Sequence, residues 1–290
     1  MREILKGIVD LHVHAGPSVA KRALDAAELL KSVQEAGYRA IVVKDHYFPT
    51  MMGCEMVQNH FGDGTVDILG TIVLNNSMGV FNLKAVDSAF NMGAKLIFFP
   101  TVSAKQHIDS YPGGFVGGGS SAVREIPVEY VDKNGVINPD AIAVLEYMAK
   151  KDMALGTGHG SAWEIDHIVR KAFELGVKRI LINHPHFHIG ATYEQMSEWA
   201  KLGAYIELNA SVFSDIAKLG DVPWEVIDAV LKAVPLERII IDSDLGQKEN
   251  VLPVEGMYNF IQLLMERNGL TANDIDLIAK SNPAALIGLD

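Results

Sequence analysis

The sequence has 290 residues, ten of which are histidines. Most of the histidines lie at the ends of short apolar segments. His12 and His14 close the segment IVDLHVH. Because side chains two apart on a strand leave the same face, their imidazoles are expected to converge. His159 and His184 end two further apolar segments, and Asp244 follows the segment RIIIDS. Neutral imidazoles that meet a carboxylate are typical ligands of Zn, Fe, Mn or Ni, so the pattern predicts a site for a divalent transition metal.

The elements that must position these residues alternate regularly along the chain. Strand-like segments are followed by amphipathic helical stretches, and several of the segments are continuously apolar, as in parallel strands covered on both faces. Capping boxes are predicted at Ser161 with Glu164 and at Thr192 with Gln195, and several helices end in glycine just before a strand. The predicted strands are residues 8–14, 39–44, 66–74, 95–100, 153–157, 179–183, 204–208 and 238–241.

Eight such units in one chain of this length favour a (β/α)8 barrel. A doubly wound open sheet would have fewer strands and a glycine-rich first turn, whereas the first turn here is HVHAGPS. In a barrel, functional residues lie at the carboxyl ends of the strands, where most of the histidines fall. The sequence therefore predicts a single α/β barrel domain over residues 1–290.

One stretch, about residues 103–137, interrupts the repeat after the fourth strand. It contains YPGGFVGGGSS and then VEYVDKNGVI. Adjacent glycines restrict the backbone little, so residues 112–121 are predicted to form a mobile lid over the mouth of the barrel. The second segment predicts a hairpin turning at residues 133–135.

Composition excludes several classes of partner. With 25 Lys and Arg against 36 Asp and Glu, the net charge is −11, which is unsuited to nucleic acid or to an anionic membrane surface. No apolar run reaches the ~18–20 residues of a membrane span, and the amino terminus has no signal-peptide core. Cys54 is the single cysteine, which suits the reducing cytoplasm. The expected partner is a small-molecule substrate, and a homo-oligomer is compatible with the sequence.

The motifs together resemble the amidohydrolase superfamily of metal-dependent hydrolases. The resemblance rests on DLHVH, TGHGS, LINHPH and IIIDSDLGQ in that order, and on the closing KSNPAALIGL. It implies a (β/α)8 barrel with one or two metal ions. His12 and His14 match the pair that binds the first metal, and His159 and His184 match the pair that binds the second. The aspartate after strand eight matches the ligand of the first metal that also handles the proton of the attacking water.

Two aspartates compete for that last role. Asp242 and Asp244 share a strand face, so alternation does not separate them. Asp244 lies further toward the rim, and SDLG resembles the turn of the family after strand eight. Asp244 is therefore preferred as the catalytic residue, and Asp242 as a deeper structural carboxylate.

The resemblance fails at the ligand that bridges two metals, because strand four ends FFPTVSAKQH without an acid. Strand two instead ends with Lys44, which shares a face with His46. Lys44 is either carboxylated and bridges two metals, or meets an anionic substrate or Asp244, or reaches solvent through its long stem. One metal or two therefore stays open.

The predicted function is that of a metal-dependent hydrolase cleaving a small-molecule amide, cyclic amide, lactone or ester. Zinc is the first choice of metal, with iron, manganese or nickel as alternatives. A metal activates water near neutral pH and polarises the scissile bond while a carboxylate moves the proton. A metal-dependent decarboxylase or isomerase on the same barrel, or a metal-binding barrel without turnover, are the alternatives.

Overall fold

Short parallel strands make up two sheets in the computed structural model, which describes residues 3–112 and 123–289. Strands β1, β2 and β3 pair in that order in one sheet, and β4 to β9 pair in chain order in the other. The strands are β1 (Val9–Val13), β2 (Ala40–Val43), β3 (Asp67–Gly70), β4 (Ile72–Val73), β5 (Leu96–Phe98), β6 (Ala154–Gly156), β7 (Ile180–Ile182), β8 (Tyr205–Asn209) and β9 (Ile239–Asp242).

The two sheets adjoin at both edges. Only Thr71 separates β3 from β4, so one continuous segment borders both sheets. At the other edge, the backbone N–H of Asp244 donates to the His12 carbonyl at 2.6 Å, and that of His14 donates to the Leu245 carbonyl at 2.8 Å. All eight predicted strands are thus present, the third divided at Thr71, and β1 follows β9 around the ring.

Helices occupy the stretches between the strands, and their ends follow the predicted signals. The capping boxes at Ser161 and Thr192 are both formed, and Gly203 ends its helix with a φ of 116° that favours glycine. The helices are α1 (Ala26–Ala36), α2 (Met51–Phe61), α3 (Leu83–Asn91), α4 (Lys105–Ser110), α5 (Pro139–Lys151), α6 (Ala162–Glu174), α7 (Tyr193–Leu202), α8 (Glu225–Ala233), α9 (Pro253–Asn268), α10 (Ala272–Asp276) and α11 (Asn282–Ile287). Among the helices of the described residues, none combines the length and apolarity needed to cross a membrane.

The core divides into an inner and an outer layer. The inner layer contains strand residues such as Leu11, Val42 and Phe98, with Leu286 of α11 packed against them. Burying these side chains contributes about 1.5–3 kcal/mol each. The outer layer fills the space between the strands and the surrounding helices.

A local irregularity in β1 brings the first histidine into the interior. The pairing of β1 with β2 shifts register between Asp10 and Val13. Leu11 belongs to the inner core layer, and the ring of His12 lies 5.7 Å from that of Phe98 in the same layer. Consecutive residues of β1 therefore both face inward, which regular alternation would not allow.

The stretch after β5 departs from the repeat as predicted. Helix α4 comes first, and an antiparallel bridge joins Val131 to Ile137, with the Asp132 N–H donating to the Val136 carbonyl at 2.9 Å. The hairpin is therefore confirmed. The predicted lid at 112–121 lies, apart from Pro112, outside the described residues.

Candidate metal centre

His12, His14 and Asp244 converge at the carboxyl ends of β1 and β9. Asp244 Oδ1 lies 3.0 Å from His12 Nε2 and 2.9 Å from His14 Nε2. Asp244 Oδ2 accepts a hydrogen bond from Ser211 Oγ at 2.8 Å and lies 3.8 Å from His184 Nε2. Ligand atoms of His12, His184 and Asp244 all lie within 4.8 Å of one another. The strand ends thus bring together three imidazoles and one carboxylate.

Two of these residues have an unusual backbone. His184 has a φ of 44° and Asp244 a φ of 45°. The left-handed region is uncommon for residues other than glycine, and it costs about 1–3 kcal/mol. At the end of β7 and of β9, this turn directs each side chain to the common centre.

Glu207 in β8 forms hydrogen bonds with the ring of His12 and with the backbone of His184. Its Oε1 lies 3.1 Å from His12 Nδ1, and its Oε2 accepts the backbone N–H of His184 at 3.1 Å. Asn183 Nδ2 donates to Oε1 at 3.0 Å. Glu207 is fully buried. Burial alone would raise its pKa, but His12 and His184 hold the pKa of Glu207 below its usual range. An ionised Glu207 fixes the Nδ1–H tautomer of His12, so that Nε2 faces the centre.

The protonation of His14 fits a bound metal ion. Its Nδ1 lies 2.7 Å from the Lys44 carbonyl, which only accepts, so Nδ1 carries the proton. In the neutral ring, Nε2 then presents a lone pair to Asp244 Oδ1. Burial and the charge of Arg22 lower the pKa of His14 to about 3, which disfavours the imidazolium. Burial opposes ionisation of Asp244, but the charge of His12 lowers its pKa well below the usual value. The lone pair of His14 Nε2 and the carboxylate oxygen of Asp244 are both electron-rich, so a cation between them stabilises their contact. Nitrogen and oxygen donors of this kind suit a divalent transition metal.

Asp242 occupies a different environment from Asp244. It is fully buried, and its Oδ1 accepts a hydrogen bond from Asn209 Nδ2. Burial, together with the charge of Glu207, raises the pKa of Asp242 well above its usual value. His12, Glu207 and Asp242 also form a cluster of close ligand atoms. Asp242 therefore differs from Asp244 both in its hydrogen-bond partners and in the direction of its pKa shift.

Lys44 is fully buried, so the interpretation of a side chain that reaches solvent is wrong. Its Nζ lies 2.9 Å from His12 Nε2 and 4.7 Å from the centre of the Phe98 ring. Burial lowers the pKa of Lys44, although Asp244 and Glu207 oppose that shift. Lys44 therefore adjoins the candidate metal ligands directly.

His159 is part of a second group of imidazoles. Its Nδ1 lies 3.0 Å from His107 Nδ1, and its ring stacks on that of His188 with centroids 4.2 Å apart. Ligand atoms of these three histidines lie within 4.8 Å of one another. The His159 and His184 rings are 5.1 Å apart, so the two groups are neighbours. The structure thus places His184 with the first group and His159 with a triad that sequence reasoning did not assemble.

A small polar cavity joins the two groups. His14, Lys44, His159, His184 and Asp244 all line it. Two further residues near it were missed from the sequence. His107 lies in α4, away from any strand end, and Arg22 lies in the loop after β1. Neither position carries a local motif, and only the folding of these segments over the barrel mouth brings them to the site.

One family model matches this chain. The chain belongs to a family described as "Family of unknown function (DUF6282)", whose model matches residues 7–207. The match includes His12, His14, Lys44, His159 and His184, while Asp244 lies beyond it. No curated protein matches the sequence.

Solved structures share the fold over nearly the whole chain. An amidohydrolase from Pseudomonas aeruginosa is 12% identical with a TM-score of 0.65, covering 99% of this chain and 97% of its own. The phosphotriesterase homology protein from Escherichia coli, complexed with phosphate in its active site, is 14% identical with a TM-score of 0.60, covering 98% and 99%. An enamidase described as a member of the amidohydrolase superfamily is 13% identical with a TM-score of 0.58, covering 98% and 68%. The predicted α/β barrel fold is thereby confirmed.

Proposed function

We propose that this protein is a metal-dependent hydrolase that cleaves a small-molecule amide, cyclic amide, lactone or ester. The observation that carries the proposal is the contact of two ring nitrogens with one ionised carboxylate oxygen, at 3.0 Å for His12 and 2.9 Å for His14. The remaining nitrogen of each ring is already committed, to Glu207 and to the Lys44 carbonyl. Such an arrangement directs the other nitrogen of each ring toward Asp244, where a metal would be bound.

The proposed ligands are His12, His14, His184 and Asp244, and zinc is the proposed metal because imidazole and carboxylate suit it. A divalent metal bound here supplies Lewis acidity, which lowers the pKa of a water molecule and polarises a carbonyl or phosphoryl oxygen. His159 is proposed as a ligand of a second ion. Lys44, carboxylated at Nζ, is the proposed bridge if two ions bind.

Asp244 is the proposed general base. Its side chain is 14% exposed, the most accessible of the proposed ligands and close to the cavity. The carboxylate is ionised, and Ser211 Oγ holds Oδ2 in place at 2.8 Å. Asp244 would take a proton from the attacking water and return it to the leaving group, a role worth about 10²–10⁴ in rate.

The single buried cysteine, Cys54, is compatible with the proposed cytoplasmic location.

Turnover of a substrate panel tests this proposal. Protein purified without chelators is assayed against lactones, amides, cyclic amides, carboxylic esters and phosphoesters, before and after metal removal. We expect hydrolysis of at least one class, loss of activity with a chelator and recovery on addition of Zn²⁺. Metal-loaded protein that instead decarboxylates or isomerises its substrate contradicts hydrolysis. Metal-loaded protein inert toward every class points to a barrel that binds metal without turnover.

A further inference from the structure

The guanidinium of Arg22 is buried beside the candidate metal centre without hydrogen-bond partners. Its side chain is 2% exposed. Among the described residues, none accepts a hydrogen bond from Nε, Nη1 or Nη2. Arg22 lines the same cavity as His14, Lys44 and Asp244. Since a buried donor without an acceptor costs about 1–3 kcal/mol, and more when it is charged, such a group calls for a ligand.

Asp45 balances the charge of Arg22 without satisfying its donors. Asp45 Oδ2 lies 3.9 Å from Nη2, which is beyond hydrogen-bond distance. That oxygen accepts a short hydrogen bond from Ser18 Oγ, and Oδ1 accepts the backbone N–H groups of Tyr47 at 2.9 Å and Phe48 at 3.1 Å. The carboxylate is thus engaged by Ser18 and by the backbone of its own loop. Burial lowers the pKa of Arg22, while Asp45 and Asp244 oppose that shift.

The backbone holds Arg22 in register with the metal centre. Arg22 forms an antiparallel bridge with Gln247. The Ala23 N–H donates to the Gly246 carbonyl at 2.8 Å. The loop after β1 is therefore joined to the loop that carries Asp244. A side chain held in this way is preorganised, which lowers the entropic cost of binding a ligand.

We propose that Arg22 is a substrate-binding residue, and that the substrate of the proposed hydrolase carries a carboxylate or phosphoryl group that the guanidinium binds beside the scissile bond. That the bound molecule is a substrate rests on the proposed function. That Arg22 binds an anion rests on the geometry alone. A planar guanidinium offers paired N–H groups that match two oxygens of either anion. The buried cation attracts an anion locally, whereas the net charge of −11 repels anions from the molecule as a whole.

Anion binding to metal-free protein tests the inference independently of turnover. Sodium acetate and inorganic phosphate are the two probes, each titrated at constant ionic strength and followed by calorimetry and by the thermal midpoint. We expect one of them to stabilise the protein, and Arg22→Gln to weaken its binding by about 10- to 100-fold. Lys21→Gln is the matched control, because it removes the same charge from the adjacent exposed residue, and it should change binding by no more than about twofold. The probe that depends more on Arg22 identifies carboxylate or phosphoryl as the recognised group.

Stability without anion separates ligand binding from a structural role. Because the donors of Arg22 are unsatisfied, Arg22→Gln should keep or raise the thermal midpoint of the anion-free protein. A midpoint lowered by several degrees, or failure to fold, overturns the proposal and makes Arg22 a structural partner of Asp45. Binding of both probes that is unchanged in Arg22→Gln and in Arg22→Lys also overturns it. Arg22-dependent binding in a protein that hydrolyses nothing would retain the anion site and reject the proposed function.

Discussion

The Oε1 atom of Glu207 lies 3.1 Å from Nδ1 of His12, and both side chains are fully buried. A carboxylate in this position accepts the Nδ1 proton, so Nε2 is the nitrogen of the ring that is directed at Asp244. Carboxylate–histidine pairs of this kind orient metal ligands and make them more basic. The orientation of the candidate centre therefore depends on a residue of β8 that is not one of the proposed ligands.

Replacing Glu207 by Gln tests this dependence. Gln has nearly the same volume but is uncharged, and its amide nitrogen would favour the wrong tautomer of His12. We expect the affinity for Zn²⁺ to fall by about 10- to 100-fold, measured by competition with a chromophoric chelator. Glu55→Gln, on the exposed face of α2, is the control and should leave the affinity unchanged. Equal affinities in the two variants would show that Glu207 does not act on the metal through His12.

Metal content tests the ligand set directly. Protein from metal-replete growth should contain one or two equivalents of a divalent transition metal by elemental analysis. His12→Ala and His14→Ala should each remove at least one, because each deletes a nitrogen that contacts Asp244 Oδ1. His167→Ala, in the exposed part of α6, is the control. Repeated preparations without metal would contradict the proposed centre.

How far the sequence predicts this site depends on how each residue is placed. His12, His14 and Asp244 follow from local signals, since strand ends and two-residue spacing fix where side chains emerge in a barrel. Arg22 and His107 come from a loop and from α4. Their approach depends on tertiary packing, which no periodicity encodes. The interior position of His12 beside Leu11 likewise needs the register shift in β1, whereas strict alternation would place these neighbours on opposite faces.

Cys54 should be inert in the native protein. It is 2% exposed, and burial raises the pKa of its thiol from 9.0 to about 12. That shift lowers the thiolate fraction at pH 8 by about 1,000-fold. Iodoacetamide should therefore label Cys54 only on unfolding, as followed by mass spectrometry. The stability contributed by the neutral thiol is full below pH 9 and is lost as the pH rises toward 12. Rapid labelling of folded protein at pH 8 would disagree with this burial.

Glu164 should stabilise the fold more than an ordinary capping residue. It is buried, and besides the capping box it accepts the Tyr130 N–H at 2.7 Å, which ties the hairpin after α4 to α6. Glu164→Ala leaves these donors without an acceptor and should lower the free energy of unfolding by about 2–4 kcal/mol. Gln195→Ala removes the equivalent residue of the capping box at Thr192. The hydrogen bond of that box is exposed, so this substitution should lower the free energy of unfolding by at most about 1 kcal/mol. Urea unfolding measures both, and equal losses would mean that the Tyr130 contact contributes nothing.

The two aspartates after β9 should separate proton transfer from structure. Asp244→Asn keeps the volume of the side chain and leaves three histidines to hold metal, so the protein should fold and retain part of its metal. An amide cannot take a proton from water, so kcat on the substrate found by the panel should fall by about 10²–10⁴.

Asp242→Asn is the matched control for that change. The raised pKa of Asp242 keeps the carboxyl neutral, and an amide can still accept the hydrogen bond of Asn209 through its oxygen. We therefore expect kcat within about threefold of the parent protein, because no charge near the centre is removed. Metal content and kcat, measured on the same preparations, distinguish a lost ligand from a lost base. If Asp242→Asn abolishes turnover while Asp244→Asn does not, the roles of the two residues are exchanged. If neither substitution lowers kcat, Asp244 is not the base, and the hydrolytic mechanism loses the group that moves its proton.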